Sequence, residues 1–220
     1  MSRVKPVDPD ELSDAHGEFL VKLARSSVEY FYKEWRFMEP PDNTPELLMR
    51  PGAAFVTIDE YKGPGEYRLR GCIGVVKPVD PLVKTVIRVA VEAATNDPRF
   101  PPLKPRELGS VVFEVSVLSD LEELPDDPSG RASSVRVGRD GLVVERGMYR
   151  GLLLPQVAVD LGWDERTFLS ETCVKAGLSP DCWLDPATRV YRYRASIWRE
   201  EYPGGPIKRH LLDARSRGSQ

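Results

Sequence analysis

The sequence is poor in the two residue types that most often bind metals and carry nucleophilic catalysis. It has three cysteines and two histidines among 220 residues. Cys72 lies far along the chain from Cys173 and Cys182, whereas a zinc site needs paired Cys or His residues at short spacing, so we expect no metal site. His16 lies in the first turn of a predicted helix and His210 in a basic C-terminal segment. A Cys–His nucleophile pair would therefore require a chain terminus to fold onto Cys72.

The features of a secreted, membrane-bound or nucleotide-binding protein are also missing. The low, odd number of cysteines implies no disulfide framework, although Cys173 and Cys182 could pair. The first residues lack the apolar core of a signal peptide, and no apolar run approaches the length of a membrane span. The sequence contains neither a Gly-rich phosphate loop nor a dinucleotide fingerprint. We therefore expect a cytoplasmic protein with no membrane contact and no cofactor.

Neither sign of charge is in large excess. The 31 Lys and Arg residues and the 34 Asp and Glu residues give a net charge of −3, whereas general nucleic-acid binding needs a net basic face. Nucleic-acid binding would therefore depend on a local patch, for which the candidates are Arg68, Arg70, Arg136, Arg139 and Arg150. The 20 prolines, with frequent Arg, Glu and Val, suit a heat-adapted protein.

Hydrophobic periodicity predicts a mixture of helices and strands. A long helix is predicted over residues 14–37, capped by Ser13 and carrying an apolar stripe that includes Trp35. Later helices are predicted to begin near Asp80, Pro155 and Asp164. The predicted strands are residues 53–59, 67–76, 111–118, 149–154 and 189–198.

Turn residues between the strands predict hairpins. The segments 135–137 and 142–144 are predicted to pair through a turn that uses Asp140-Gly141. Hairpins make much of the sheet antiparallel, and helices occur among the strands along the chain. The pattern therefore predicts the α+β class, with mostly antiparallel sheets and packed helices.

The segment Leu69-Arg70-Gly71-Cys72-Ile73-Gly74 is the best candidate for a functional site. Residues two apart in a strand share a face, so Arg70 and Cys72 are expected on one face. If strand 111–118 is a neighbour, Glu114 and Ser116 join them there. A positive charge beside a thiol favours the thiolate, which is the reactive form.

Arg99 and the two glycines of the segment strengthen its assignment as a functional site. Arg99 would add a second positive charge or hold an anionic substrate. Gly71 and Gly74 lie within a predicted strand, where glycine indicates a bulge or a close approach of the backbone to a ligand. A structural interpretation stays open, because free cysteine is usually a small buried hydrophobe and Arg70 could form a plain cross-strand ion pair with Glu114.

Five segments in order along the chain resemble the AMMECR family: residues 69–74, 93–94 with 97–100, 114–118, 150–158 and 172–178. The resemblance covers about residues 15–203. It implies one domain of residues 13–203 built from a larger and a smaller α+β subdomain, the smaller being roughly 65–125, with residues 69–74 near their interface. Residues 1–12 are then an N-terminal extension and residues 204–220 a flexible tail.

The resemblance implies no particular reaction. Prokaryotic members of the family are associated by gene neighbourhood with Memo-like proteins and radical SAM enzymes, which suggests a shared pathway. The resemblance also adds Gln156, at a predicted strand-to-helix junction, to the candidate substrate-binding residues.

Three functional hypotheses follow. The first is an enzyme acting on a small or anionic substrate, with Cys72 and Glu114 as catalytic residues and a second group binding the substrate: Arg70, Gly71, Gly74, Arg99, Ser116 and Gln156. The second is a non-enzymatic module that binds a protein partner in a modification pathway. The third is nucleic-acid binding. The oligomeric state is left open.

Overall fold

The computed structural model describes residues 4–210, which divide into two units. The first unit runs through Asp120 and resumes over Ser196–His210, and the second unit comprises Leu121–Ala195. The helices are α1 (Asp14–Glu34), α2 (Leu82–Thr95), α3 (Pro128–Ser134), α4 (Pro155–Asp160) and α5 (Glu165–Lys175). The strands are β1 (Ala53–Gly63), β2 (Glu66–Val75), β3 (Val111–Leu118), β4 (Glu122–Glu123), β5 (Asp140–Arg146), β6 (Tyr149–Leu153), β7 (Arg189–Glu200) and β8 (Ile207–Arg209).

β1 is the central strand of the first unit and pairs antiparallel with β2 and with β3. Alternate residues of a strand point to opposite faces. One face of β1 carries Val56 and Ile58, which pack with Val115 of β3 and the apolar side chains of α1 and α2 in one hydrophobic core. The opposite face carries Thr57 and Asp59. Helices packed on antiparallel strands confirm the predicted α+β class.

The first helix begins where the sequence predicts it and ends earlier. The Ser13 hydroxyl accepts a hydrogen bond from the His16 backbone N–H, which caps α1. Trp35 adopts the left-handed conformation with φ of 55°, so the helix ends at Glu34 rather than at residue 37. The prediction that Trp35 belongs to the apolar stripe of the helix is wrong, because Trp35 follows the last helical residue and is 75% exposed.

The described parts of both predicted terminal segments contact the first unit. In the predicted extension, Val7 and Leu12 are buried in the core, and the Val7 N–H donates to the Pro51 carbonyl at 2.8 Å. In the predicted tail, β8 pairs antiparallel with the end of β7. This pairing gives hydrogen-bond partners to backbone N–H and C=O groups of Trp198–Glu200. The rest of the tail, residues 211–220, lies outside the described residues.

The second unit is built on β5, which pairs antiparallel with β6 on one side and with the first part of β7 on the other. β4 also pairs with β7. Phe168 and Leu169 of α5 pack with Leu142 and Val144 of β5 in a second hydrophobic core. This unit is therefore also a helix packed on antiparallel strands.

The hairpin predicted over residues 135–144 is wrong. Residues 135–139 form no strand; they turn into β5, with Gly138 at φ of 84° and the Arg136 N–H donating to Asp140 Oδ2 at 2.9 Å. The hairpin of this unit is β5–β6, which turns at Gly147, where φ is 60°. Asp140 thus stabilises the entrance to β5 rather than a hairpin turn.

Arg131 of α3 is a buried residue that hydrogen-bonds three separate parts of the second unit. Its side chain is fully buried, and its guanidinium donates to the carbonyl oxygens of Pro125 at 2.8 Å, Trp183 at 2.6 Å and Thr188 at 2.8 Å. A buried charge is tolerated only when it is hydrogen-bonded. Arg131 therefore ties α3 to the segment that leads into β7.

A disulfide joins Cys173 of α5 to Cys182 in the turn that follows, and both residues are buried. The sequence left this pairing open. Cys72 is a free cysteine. Cys72 is therefore the cysteine whose thiol is available for chemistry in the native protein.

The observed units differ from the predicted subdomains. Residues 65–120 of the predicted smaller part belong to the first unit, because β2 and β3 both pair with β1. Across residues 4–210, no helix has the length and apolar character needed to cross a membrane.

Candidate functional site

The candidate site is built on one face of the β2–β1–β3 sheet in the first unit. Thr57 of β1 lies opposite Cys72 of β2 and, on its other side, opposite Glu114 of β3. Residues directly opposite in antiparallel strands share a face, so these three side chains form one row across three strands. The Thr57 hydroxyl donates to Cys72 Sγ at 3.3 Å.

Two neighbouring rows extend this surface. Ser116 of β3 lies opposite Phe55, and Asp59 is two residues beyond Thr57 on the same face of β1. We call the five side chains Thr57, Asp59, Cys72, Glu114 and Ser116 the polar face. The predicted gathering of Cys72, Glu114 and Ser116 on one surface is thus observed, and Thr57 and Asp59 join it.

Acidic groups outnumber basic ones on the polar face. Asp59 is 9% exposed and Glu114 6% exposed. Arg199 of β7 lies 3.7 Å from Glu114, and its guanidinium stacks 4.1 Å from the centre of the Tyr67 ring. Burial raises the pKa of Asp59 above its ordinary value, and Arg199 offsets only part of this effect. Asp59 is therefore a carboxyl group that holds a proton more readily than an exposed aspartate.

The Cys72 thiol is not activated as the sequence predicted. Burial raises its pKa, and the nearby Glu114 and Asp59 carboxylates raise it further, while the Thr57 hydrogen bond and Arg99 act in the opposite direction. Arg70 is not among the groups that shift this pKa. Cys72 therefore carries a neutral thiol at physiological pH.

Arg70 does not share the face of Cys72, and this correction has a clear cause. Gly71 pairs with Ile58 and Leu69 pairs with Asp59, so Arg70 is the extra residue of a β-bulge and the simple alternation of faces fails there. Its guanidinium donates to Glu107 Oε1 at 3.0 Å and to the Pro101 carbonyl at 2.8 Å. Arg70 fastens the strand to the loop before β3.

Arg99 and Asp97 hold the backbone of Cys72 from the outer edge of β2. The Cys72 N–H donates to Asp97 Oδ2 at 2.8 Å, and the Cys72 carbonyl accepts from Arg99 Nη2 at 3.2 Å. Arg99 also pairs with Asp97 at 2.7 Å. These hydrogen bonds lower the pKa of Asp97 to about 2. We call Asp97 and Arg99 the edge clamp.

The two glycines of the segment make close contacts within the protein. A Cβ at Gly71 would overlap the carbonyl oxygen of Ala93, so α2 packs directly against this position. A Cβ at Gly74 would overlap the Phe55 ring. The close approach predicted for both glycines is therefore made by protein atoms.

Ser116 and Gln156 each carry a buried polar atom with an unmet hydrogen bond. Ser116 is 1% exposed, and neither its Oγ nor Oε1 of Gln156 has a hydrogen-bond partner among the described residues. An unpaired buried polar atom in a native structure needs an explanation, such as a bound water or ligand. Ser116 lies on the polar face, whereas Gln156 is the second residue of α4 in the second unit.

Sequence reasoning missed Thr57, Asp59, Asp97 and Arg199. The alternation of Thr57 and Asp59 within a predicted strand was an available signal. For Arg199 no local pattern existed, because its contact with Glu114 joins strands 85 residues apart in sequence, from position 114 to position 199. Within residues 4–210, no three His, Cys, Asp or Glu side chains come together in a way that could hold a metal ion.

Most of the chain is similar to proteins of thermophilic archaea. The model of the AMMECR1 family matches residues 21–198. A protein of Thermococcus gammatolerans is 52% identical over 201 residues, covering 91% of this chain and 98% of that protein. A protein of Aeropyrum pernix is 50% identical over 211 residues, covering 96% and 90%.

A solved structure supports the same assignment. The crystal structure of an uncharacterised protein from Pyrococcus horikoshii matches with a TM-score of 0.88 and 51% identity, covering 91% of this chain and 99% of that one. Family model, relatives and fold agree over most of the sequence. The chain belongs to the AMMECR1 family.

Proposed function

We propose that the protein is an enzyme that performs general acid–base catalysis on a small polar substrate at the polar face. The observation that carries this proposal is a pair of buried carboxyl groups, Asp59 and Glu114, that share one face, with Arg199 beside Glu114. Catalytic acids and bases need altered proton affinities, and such pairs in different environments often divide the two roles.

Each group of the polar face has a role in this proposal. Asp59, whose pKa burial raises, donates a proton. Glu114, paired with Arg199, accepts one. The Ser116 hydroxyl, which has no partner among the described residues, hydrogen-bonds the substrate. The Cys72 side chain contacts the substrate as a neutral thiol. This role differs from that of the thiolate nucleophile that the sequence suggested.

The substrate we propose is polar and uncharged rather than anionic. Arg70 and Arg99 are the two residues expected to bind an anion. Arg70 donates hydrogen bonds to Glu107, and Arg99 donates to Asp97. Arg199 pairs with Glu114. An anion entering the polar face would meet the carboxyl groups of Asp59 and Glu114, which is unfavourable in a poorly solvated site.

A substrate screen with matched variants tests this proposal. The purified protein is incubated with pools of small polar metabolites at several pH values, and conversion is followed by mass spectrometry. A true substrate is converted by the wild type, loses most of its conversion rate with Glu114→Gln, and keeps it with Glu18→Gln, an exposed change on α1. General acid–base groups contribute roughly 100- to 10,000-fold to rate. Conversion that is equal in Glu114→Gln and wild type would remove Glu114 from the mechanism.

The contacts of Arg70 also bear on the predicted interaction module. An exposed Arg70 would be the natural docking group of such a module, but its guanidinium is bound to Glu107 and to the carbonyls of Pro101 and Pro102. We therefore favour the enzyme over partner binding through this residue.

A further inference from the structure

A second polar site lies in the second unit, where the turn after α3 meets β5 and β7. It is a cavity of about 390 Å³, within the range of small-ligand pockets. Its lining is basic and hydroxylated: Arg136, Arg139, Arg192, Ser133, Ser134 and Glu165. The polar face of the first unit shares no residue with this cavity.

Two of the arginines are fixed in place by carboxylates. Arg139 donates to both oxygens of Asp140, at 2.6 and 2.7 Å. Arg192 donates to both oxygens of Glu122, at 3.0 and 2.5 Å, and to the Ser134 carbonyl at 2.6 Å. A guanidinium has five N–H donors, so each arginine keeps donors beyond these bonds. Such ion pairs fix the planes of the guanidinium groups before any ligand arrives.

The third arginine is unpaired. Among the residues that the structure describes, none forms a hydrogen bond or ion pair with the Arg136 guanidinium, while the Arg136 backbone N–H is bound to Asp140. Asp140 is 1% exposed and turns its oxygens to Arg139 and to that N–H, so it presents little acceptor surface to the cavity. Glu165 is the one carboxylate in the lining.

We propose that this cavity binds a phosphate group, either as the free ion or as part of a small phosphate ester. Planar arginine forks match the geometry of phosphate oxygens and bind them through paired N–H donors. Arg136 supplies an unpaired fork, Arg139 and Arg192 supply fixed ones, and the Ser134 hydroxyl can complete the set, whereas the Ser133 hydroxyl already donates to the Gly130 carbonyl at 3.2 Å. Glu165 disfavours ligands whose negative charge extends along its side of the cavity.

Titration of the full chain with inorganic phosphate, followed by calorimetry at low ionic strength, tests the proposal. Wild type shows saturable binding at one site. Arg136→Gln weakens it about tenfold, which corresponds to roughly 1.4 kcal/mol for the loss of a charged fork. Lys175→Gln, which removes the same charge from an exposed position on α5, leaves the affinity unchanged. A phosphomonoester probe run in parallel distinguishes a free ion from an ester as the tighter ligand.

Three results would overturn the phosphate site. They are no saturable binding by the wild type, equal weakening in Arg136→Gln and Lys175→Gln, and acetate binding as tight as phosphate binding. Arg136→Gln retains the fold because the exposed Arg136 side chain has no hydrogen bond or ion pair to lose among residues 4–210, and circular dichroism checks this. Arg136→Lys, which keeps the charge without the fork, gives an affinity between those of the wild type and Arg136→Gln.

Discussion

At the residue scale, the edge clamp joins the segment around Cys72 to the segment around Asp97 through backbone hydrogen bonds. Asp97 and Arg99 bind the N–H and the carbonyl of Cys72, groups that would otherwise face outward from an edge strand. Unpaired edges invite pairing with other chains. The clamp therefore fixes the position of the thiol and also closes this part of the strand edge.

Asp97→Asn is expected to lower the free energy of unfolding by on the order of 2 kcal/mol near neutral pH. The folded-state pKa of Asp97 is about 2, below its ordinary 3.8, so its contribution is fully present above about pH 4 and is lost as the pH falls through about 2. Urea unfolding from pH 2 to 7 measures this. The wild type and variant curves should converge at low pH, and a constant gap at every pH would contradict the assignment.

The Cys72 thiol is expected to react slowly with alkylating agents at neutral pH. Because burial and two carboxylates raise its pKa, the reaction should accelerate only above the pH at which ordinary thiols ionise, near 8.5. Glu114→Gln removes one of these negative charges and should shift the profile to lower pH. Alkylation rates across pH, read by mass spectrometry, measure both effects. A wild-type profile centred below that of a free thiol would instead support a nucleophilic Cys72.

At the scale of elements, the contact between β2 and α2 depends on the absence of one side chain. Gly71 lies beside the Arg70 bulge, and α2 reaches the strand backbone through the carbonyl of Ala93. The bulge turns Arg70 toward Glu107, and the glycine admits the helix. Both features belong to the Leu69–Gly74 segment, so much of its pattern is explained by packing.

Gly71→Ala is expected to destabilise the protein by about 1–3 kcal/mol, because the new methyl group must displace backbone rather than a flexible side chain. Gly109→Ala is the matched control, since a Cβ there meets nothing within 4 Å. Thermal unfolding of the two variants measures the difference. Equal stability of the two would show that α2 shifts without cost.

Local sequence signals predicted elements well where a short pattern decides them. The strand 111–118 was predicted with the bounds that β3 has, and the Asp164 side chain caps α5 as expected by accepting from the Thr167 N–H at 2.7 Å. The end of α1 was missed because the residue that terminates it is Trp35, and left-handed backbone there is not encoded by a glycine.

Features that depend on tertiary contacts were beyond sequence reasoning. Alternation placed Arg70 beside Cys72, but a single extra residue in β2 moved it to other partners. The same alternation succeeded for Glu114 and Ser116, because β3 pairs with β1 without interruption. Arg199 comes from a strand far along the chain, and its place beside Glu114 follows from the fold.

At the scale of the whole molecule, the second unit carries its own stabilising devices. Arg131 binds three carbonyls in its interior, and the Cys173–Cys182 disulfide joins α5 to the next turn. Intracellular disulfides are common in hyperthermophilic archaea, and relatives of this chain come from such organisms. The disulfide is thus compatible with the predicted cytoplasmic location, which stays a prediction.

Replacing both Cys173 and Cys182 by Ser is expected to cost about 2–3 kcal/mol, because the unfolded chain regains loop entropy. Hydrogen exchange by mass spectrometry locates the effect. Amides within Leu121–Ala195 should lose protection, while those of β1 and β3 keep theirs. Cys72→Ser is the control and should leave the second unit unchanged. Loss of protection confined to β1 and β3 would refute the assignment.

The path of the chain through the two units has a consequence for its synthesis. The chain leaves the first unit at Asp120 and returns to it over Ser196–His210, and the described part of the second unit is the segment between them, Leu121–Ala195. Trp198, which packs on Gly17, and Glu200, which binds Arg25, are among the last parts of the first unit to leave the ribosome. The first unit therefore cannot complete its contacts until the whole of Leu121–Ala195 has been synthesised.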